Sequence, residues 1–457
     1  MKRIVILILS LNLLLLSPVV SQQKFWSLEE CIMYAIENNI QIKQQVIQTE
    51  YNKNSLDLAK LKLLPTLNGQ STYSFNFNRT LDQTTNVYRD QSGQSAQIYL
   101  GGNLPLFTGL QNLYSIKSNQ YLVLASEQDL QTIKDNIALS VALAYLQILL
   151  NKELVAATDN QLQITLQQIE KTKKLVEAGS SARGNLLQIE AQAASEEVQL
   201  INLKNQLEIS YLNLTQLLEL KTPVGFEVSV PEIGVDSNSV ITGNIDDIYQ
   251  QALGTRPEVK SSEMKLSASE YDLKTARGGR YPSLSLSHSY STQYTNLRQK
   301  ITTDPVTGLP VTEDYPFGSQ LKDFKNYVLG FNLRVPILNG WQVNKNVSNS
   351  KLALENSNYT LEATKKQLYK NIQQAYTDAT ASLKKYNASS KAVTSTEESF
   401  RYSEQKFNVG LVTPVDYNAA KTQLLRAQSD LAQSKYEYIF KTKVLDFYKG
   451  IPITLPK

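Results

Sequence analysis

Leu104-Pro105-Leu106-Phe107-Thr108-Gly109-Leu110-Gln111 returns later in the chain as Val335-Pro336-Ile337-Leu338-Asn339-Gly340-Trp341-Gln342. The interval from Pro105 to Gly179 equals the interval from Pro336 to Gly410. A further pair of marks, Leu64-Pro65-Thr66-Leu67 and Tyr281-Pro282-Ser283-Leu284, lies closer together along the chain than the other two pairs do. The second copy therefore carries extra residues between Pro282 and Pro336. A repeat this long is a duplicated domain-sized unit, not a short solenoid repeat. The expected division is a first repeat over 22–221, a linker over 222–243, a second repeat over 244–449 and a tail over 450–457.

Outward from these marks, each half reads helix, strand, strand, long helix, turn, helix. Ser27-Leu28-Glu29-Glu30 has a capping residue and an acidic first turn, and Asn244-Ile245-Asp246-Asp247 plays the same part in the second half. The first of these helical patterns runs to about Leu64 with a break at Asn38-Asn39; the second resumes after Arg256-Pro257. After each Pro mark the period changes to two. Tyr73, Phe75 and Phe77 alternate with Thr72, Ser74 and Asn76. Leu284, Leu286, His288 and Tyr290 alternate with serines, and Tyr327, Leu329, Phe331, Leu333 and Val335 alternate with Val328, Gly330, Asn332 and Arg334. These patterns predict β-hairpins over about 66–107 and 283–336, with one apolar, aromatic-rich face. Polar segments, roughly Leu81–Ser95 and Asn296–Lys325, join the paired strands. Long loops at one end and tight Pro-marked joins at the other suit an outer-membrane barrel. A half-buried soluble sheet would show the same alternation.

The helical signal is stronger. Neither Pro nor Gly interrupts the chain between Gly109 and Glu177, or from Trp341 to Val409. At 1.5 Å per residue each stretch reaches ~100 Å, longer than a globular domain houses. Leu186, Ile189, Ala193, Leu200, Leu203 and Leu207 keep three-and-four spacing after Gly179, with Glu196 in one slot. Tyr417, Ala420, Leu424, Ala427, Leu431 and Ser434 do the same after Gly410. Helical hairpins turning at Gly179 and Gly410 are expected over about 110–221 and 341–449.

Lys2-Arg3, the apolar run Ile4–Leu16 and Ser17-Pro18-Val19-Val20-Ser21 have the build of a secretory signal, expected to be cleaved after Ser21. The run is shorter than the ~20 residues of a membrane span. Its removal takes the net charge from +4 to +2, which gives no reason to expect nucleic acid. The one cysteine, Cys31, lies beyond the cleavage point and allows no internal disulfide. Ile137–Leu150 is apolar but contains Ser140 and Gln147, and reads as a core-facing helix. The lone His288, without a Cys/His cluster or a Gly-rich phosphate loop, argues against an enzyme and against a cofactor.

Four strands cannot close, and unpaired strand edges are not tolerated in lipid, so copies must combine. Two copies give eight strands with a filled interior; three give twelve and a lumen. The rival reading is a periplasmic coiled-coil adaptor or scaffold, which also carries helical hairpins. Two equivalent hairpins, each preceded by two amphipathic strands, favour instead an outer-membrane barrel continued by a helical tube, a duct across the periplasm.

Ser27-Leu28-Glu29-Glu30-Cys31 with Ala35-Ile36-Glu37-Asn38-Asn39, the duplicated Pro105/Gly109 and Pro336/Gly340 exits, and the turns at Gly179 and Gly410 together resemble the TolC-type outer-membrane efflux proteins. The resemblance covers essentially the whole mature chain. It implies a mixed α and β membrane protein of internally duplicated chains. These assemble as a homotrimer with a twelve-stranded outer-membrane β-barrel, four strands per chain, continued by a long α-helical periplasmic barrel. An equatorial domain forms from the interhelical link and the chain ends. It further implies the outer membrane of a Gram-negative bacterium as the site, and passage of substrates without chemistry. The implied partners are outer-membrane lipid, a periplasmic adaptor and an inner-membrane pump or secretion ATPase.

The resemblance also places functional residues. Gly179 and Gly410 become adaptor-contact tips, besides supplying the turns' positive φ. Asp416 matches the first acidic position of the second-repeat tip, and the matching first-repeat slot holds Asn185. Val412 and Ala419 stand where the family pattern carries charge, and Arg183 stands near the first tip instead. Three Asp416 side chains would favour cations at a narrow entrance; the alternative is a helix-start carboxylate favoured by the dipole after Pro414. Tyr73, Phe75, Phe77, Tyr290, Tyr294, Tyr327 and Phe331 would form lipid-facing aromatic belts, or else ordinary sheet packing.

Overall fold

The structure is a computed structural model and describes residues 25–82, 86–231, 234 and 243–455. The expected signal sequence, residues 232–233 and 235–242 of the linker and the last two residues of the tail lie outside the described residues.

The duplication is literal at the level of elements. Helix α1 (Leu28–Asn38) and helix α5 (Ile245–Thr255) each have 11 residues. Helices α2 (Ile40–Leu61) and α6 (Pro257–Gly278) each have 22. The long helices α3 (Gln111–Glu177) and α8 (Gln342–Asn408) each have 67, and the return helices α4 (Arg183–Leu217) and α9 (Pro414–Tyr448) each have 35. Each long helix rises about 100 Å.

Two compact units result, and they cut across the repeats. The first comprises Met1–Ile47, Gln128–Lys260 and Ala363–Lys457; the second comprises Gln48–Glu127 and Ser261–Glu362. Each repeat therefore contributes to both.

In the first unit, the Ser27/Glu30 capping box starts α1: the Glu30 amide donates to Ser27 Oγ (3.2 Å) and the Ser27 amide to Glu30 Oε2 (2.9 Å). Asn39 breaks α1 from α2, with its side chain accepting from the Gln41 amide (2.9 Å) and donating to Leu217 O (3.1 Å). Strands β1 (Phe25–Trp26) and β4 (Glu227–Val228) pair in parallel. The core gathers Leu28, Cys31 and Ala35 of α1, Val141, Tyr145 and Leu149 of α3, and Leu214 of α4. The segment 137–150 is thus a core-facing stretch. Tyr145 Oη donates to Ser229 O at 2.6 Å, and burial pushes its phenol up to about 12.

The second unit holds a four-stranded antiparallel sheet, in the order β2 (Thr66–Asp82), β3 (Val87–Phe107), β5 (Ser283–Thr295), β8 (Asn326–Arg334). Strands β2 and β3 stay paired out to Asp82 and Val87, inside the segment that the sequence marks as a loop. Alternation reveals a buried or lipid-covered face, whereas a backbone ladder beyond that face needs no apolar side chains and leaves no such signal. The longer join between β5 and β8 is folded too. It carries the hairpin β6 (Gln299–Thr303) with β7 (Pro310–Asp314) and helix α7 (Phe317–Asp323), within the interval that is longer in the second repeat. The fully buried Gln320 ties α7 to the end of β5: its Nε2 donates to Thr295 O (3.0 Å) and Tyr315 O (2.8 Å), and its Oε1 accepts from the Thr295 amide (3.1 Å).

The strand exits repeat as backbone conformation. Gly109 and Leu110 have φ of 62° and 65°; Gly340 and Trp341 have 57° and 62°. Two successive left-handed residues turn each strand into its long helix. Gly109 is required twice over, because a Cβ there would lie 2.4 Å from Gly278 O; around Gly340 there is open space.

Candidate functional sites: the hairpin tips and the sheet faces

At the first tip, Gly179 (φ 72°) closes α3: its amide donates to Val176 O (3.0 Å) and the Ser180 amide to Leu175 O (2.9 Å). At the second, Gly410 (φ 78°) closes α8 in the same way, with its amide on Phe407 O (3.0 Å) and the Leu411 amide on Lys406 O (2.9 Å). Both are paired-bond helix stops in which glycine avoids the penalty of a left-handed residue. A Cβ at either glycine would meet nothing within 4 Å, so conformation, not crowding, selects glycine.

The return helices start differently. Thr413 and Asp416 form a reciprocal box: the Asp416 amide donates to Thr413 Oγ1 (3.2 Å), and the Thr413 amide (3.3 Å) and hydroxyl (2.7 Å) donate to Asp416 Oδ2. Asp416 therefore fills the helix-start role offered by one of its two sequence readings. Helix α4 has Ala182 at its cap with no side-chain acceptor, and Arg183 is its first residue. Asn185 Nδ2 donates to Ser181 Oγ at 3.3 Å. Asn185, Gly410 and Asp416 line one cleft between the two tips, together with Lys171, Phe407 and Asn408; Gly179 and Arg183 do not line it. Lys171 Nζ donates to Asn408 Oδ1 (3.0 Å) across that cleft.

A second inter-hairpin link, deeper than the tips, escapes the sequence reading. Lys421 of α9 is 3 % exposed and Glu196 of α4 4 %, with Nζ 3.8 Å from Oε1. Lys421 Nζ donates to Thr165 Oγ1 and to Gln161 O (3.2 Å) on α3, and the Thr165 hydroxyl donates to Glu196 Oε2. Gln192 Nε2 (3.0 Å) and Gln161 Nε2 (3.4 Å) also donate to Glu196 Oε1. Burial pushes the Lys421 ammonium below its ordinary value, against the pull of Glu196. Of the expected seam on α9, Tyr417 and Ser434 are buried, but between them the buried residues are Lys421, Leu425 and Ala432 in place of Ala420, Leu424 and Leu431. The one-residue shift is confined to this stretch, where Lys421 meets the buried Glu196, and a lysine there reads from sequence as a solvent position. The only available signal is Glu196 itself, an acid inside an apolar seam that needs a partner.

The sheet has two unlike faces. Register puts Tyr73, Ala96 and Tyr294 opposite one another, and likewise Tyr290 with Tyr327 and Leu286 with Phe331. Tyr73 is 54 % exposed, Phe75 60 %, Phe77 83 %, Tyr327 74 % and Phe331 69 %. Tyr290 and Tyr294 are half-buried; the Tyr290 ring packs tilted against Tyr327 (4.9 Å) and the Tyr294 ring edge-on against Phe317 (4.8 Å). All seven aromatics expected at lipid thus share one face. The other face presents Ser285, Ser287, Ser289 and Ser291 beside Asn103, Gly101 and Tyr99. A contiguous apolar face this exposed marks a surface built for another phase or another molecule.

Comparison with known proteins agrees with this geometry. The TolC outer membrane protein of Escherichia coli is 21 % identical over 447 residues, covering 96 % of this chain and 84 % of the relative. The alkaline protease secretion protein AprF of Pseudomonas aeruginosa is 21 % identical over 433 residues, covering 91 % and 83 %. The outer membrane channel CmeC of Campylobacter jejuni superposes with a TM-score of 0.77 at 18 % identity, over 93 % of this chain and 85 % of that one. The model of the family described as "Outer membrane efflux protein" matches residues 32–219 and 248–445, one match in each repeat. The chain belongs to the outer membrane efflux protein family, and is a transport protein of the outer membrane rather than an enzyme.

Proposed function

We propose that this chain forms the exit duct of a tripartite efflux pump or a type I secretion system, as a homotrimer. The observation that carries the reading is the four-stranded antiparallel sheet with free edges at β2 and β8 and one exposed aromatic face. In lipid such edges must be paired, and three sheets give a twelve-stranded barrel wide enough for a lumen. Tyr73, Phe75, Phe77, Tyr290, Tyr294, Tyr327 and Phe331 then meet lipid, and the serine-rich face lines the passage. The helical hairpins reach into the periplasm, where Gly179 and Gly410 sit at the tips that a periplasmic adaptor would contact. An inner-membrane pump or secretion ATPase would supply the energy. The tips differ in charge: Arg183 and Asn185 stand at the first and Asp416 at the second. Asp416 sits in its capping box at the second tip, and three copies would favour cations. Planar-bilayer recording tests the reading. Discrete currents from purified protein support it, and a protein that washes from membranes without detergent refutes it.

A further inference from the structure

The serine-rich face of the sheet is built of hydroxyls and amides. Asn332 Nδ2 donates to Ser287 Oγ at 2.8 Å, so these two side chains share it. Register adds Asn68, Gln97 and Gln293 from the neighbouring strands. The same face ends on Arg334, which pairs with Ser283 two residues beyond Asn332. Side chains alternate along a strand, so Arg334 stands with Asn332, while Leu333 and Phe331 stand on the aromatic side. Arg334 is exposed and has no carboxylate partner among the described residues.

The neighbouring chain supplies no carboxylate either. No Asp or Glu occurs in 58–81, 91–126, 273–303 or 324–354, the stretches that carry the aromatic and serine-rich parts of the sheet. Lys62, Lys117, Arg277, Arg280 and Lys345 all lie in them. Avoidance of charge in a membrane segment would thin out both signs; here only the acids are missing. Strands β2 and β8 are the free edges, so β2 is the strand that β8 meets when a barrel closes. Closure therefore brings Arg334 no acid from 58–81.

We infer that three copies of Arg334 form a cationic collar at the helix-side mouth of the barrel, a site for phosphate or carboxylate groups on outgoing cargo. This rests on the trimeric barrel reading above. Twelve strands spaced ~4.8 Å apart and tilted ~40° close at a diameter of about 24 Å. The axis then lies about 12 Å from the wall, and the arginine side chains reach into that gap. A charge is felt over ~8 Å at physiological salt and over ~3 Å at 1 M, so the collar acts across the opening in the first case and not in the second. The planar guanidinium suits bidentate contact with phosphate or carboxylate, and rings of arginine serve anion passages. Asp416, of opposite sign, follows the 67-residue α8 that begins after Arg334, many screening lengths away along a helix rising ~100 Å, so the two charges act separately.

Isothermal titration of inositol hexakisphosphate into the purified full-length trimer, in non-ionic detergent at about 0.1 M salt, reads this site whether or not the tips are open. One anion should bind per three chains, because a symmetric collar has one centre; scattered surface bases would take three or more. Arg334→Gln should weaken binding about tenfold or more, and Arg334→Lys should retain most of it. Arg79→Gln, on the aromatic side at the far end of β2 and beside Asp90, should change nothing. Raising salt to about 1 M should weaken wild-type binding about tenfold or more. Should Arg334→Gln fail to assemble, the stoichiometry and salt dependence of the wild type still decide. A trimer that takes up no anion, takes up three, or binds as well with Arg334→Gln overturns the collar. A wild-type protein that is not a trimer overturns the barrel reading beneath it instead.

Discussion

Lys421→Met removes the ammonium from a site where Glu196 is 4 % exposed. Truncating one partner of a buried ion pair costs about 3–5 kcal/mol, because the other charge stays behind in low dielectric. Here the low end applies: Thr165, Gln161 and Gln192 still donate to the carboxylate. About 3 kcal/mol corresponds to a change on the order of 100-fold in an opening equilibrium. Hydrogen–deuterium exchange reads that equilibrium locally, so amides over 158–172 and 414–428 should exchange about 100-fold faster by this estimate. Amides around Tyr145 in the core should be unchanged. Lys421→Met with Glu196→Leu removes both charges, and should return exchange close to wild type, since an apolar pair of similar volume is often neutral or better. Exchange in the single variant within threefold of wild type would refute the claim that the pair is buried and coupled. So would a double variant that opens more than the single.

Three further outcomes follow from other parts of the molecule. Gly109→Ala should block assembly, because its Cβ would fall 2.4 Å from a backbone oxygen, whereas Gly340→Ala should cost only the left-handed penalty of roughly 1–2 kcal/mol; trimer yield and melting temperature compare them. Asp416→Asn keeps an N-cap-competent side chain but removes the charge, so reversal potentials in a salt gradient should move toward non-selective, and an unchanged potential dismisses its role in selectivity. Phe331→Lys places a charge on the face assigned to lipid and should cost about 2–4 kcal/mol near the bilayer midplane. Ser289→Lys, on the opposite face, should assemble normally; urea unfolding from vesicles separates the two, and equal destabilisation would contradict the assignment of faces.

The duplicated marks carry most of the architecture. Pro105, Gly109 and Gly179, with their counterparts Pro336, Gly340 and Gly410, fix the strand exits and hairpin turns, because proline and left-handed glycine are local backbone requirements written one residue at a time. Helix length is legible for the same reason: nothing between Gly109 and Glu177 breaks a helix. What escapes depends on contacts between distant segments. The paired stretch beyond Phe77 has no apolar face to announce it, and β6, β7 and α7 are short elements held by Gln320 rather than by periodicity. Lys421 looks like a solvent residue because its partners, Glu196 and Thr165, belong to the other repeat. The compact units are not readable from the repeats, since α3 and α8 each contribute to both.

The central claim is that three copies pool their four strands into one barrel. Native mass spectrometry of the detergent-purified protein tests it most directly. A single species of three chains is expected, each of no more than the 51.3 kDa of the full sequence. A protein that stays monomeric and soluble without detergent would contradict it.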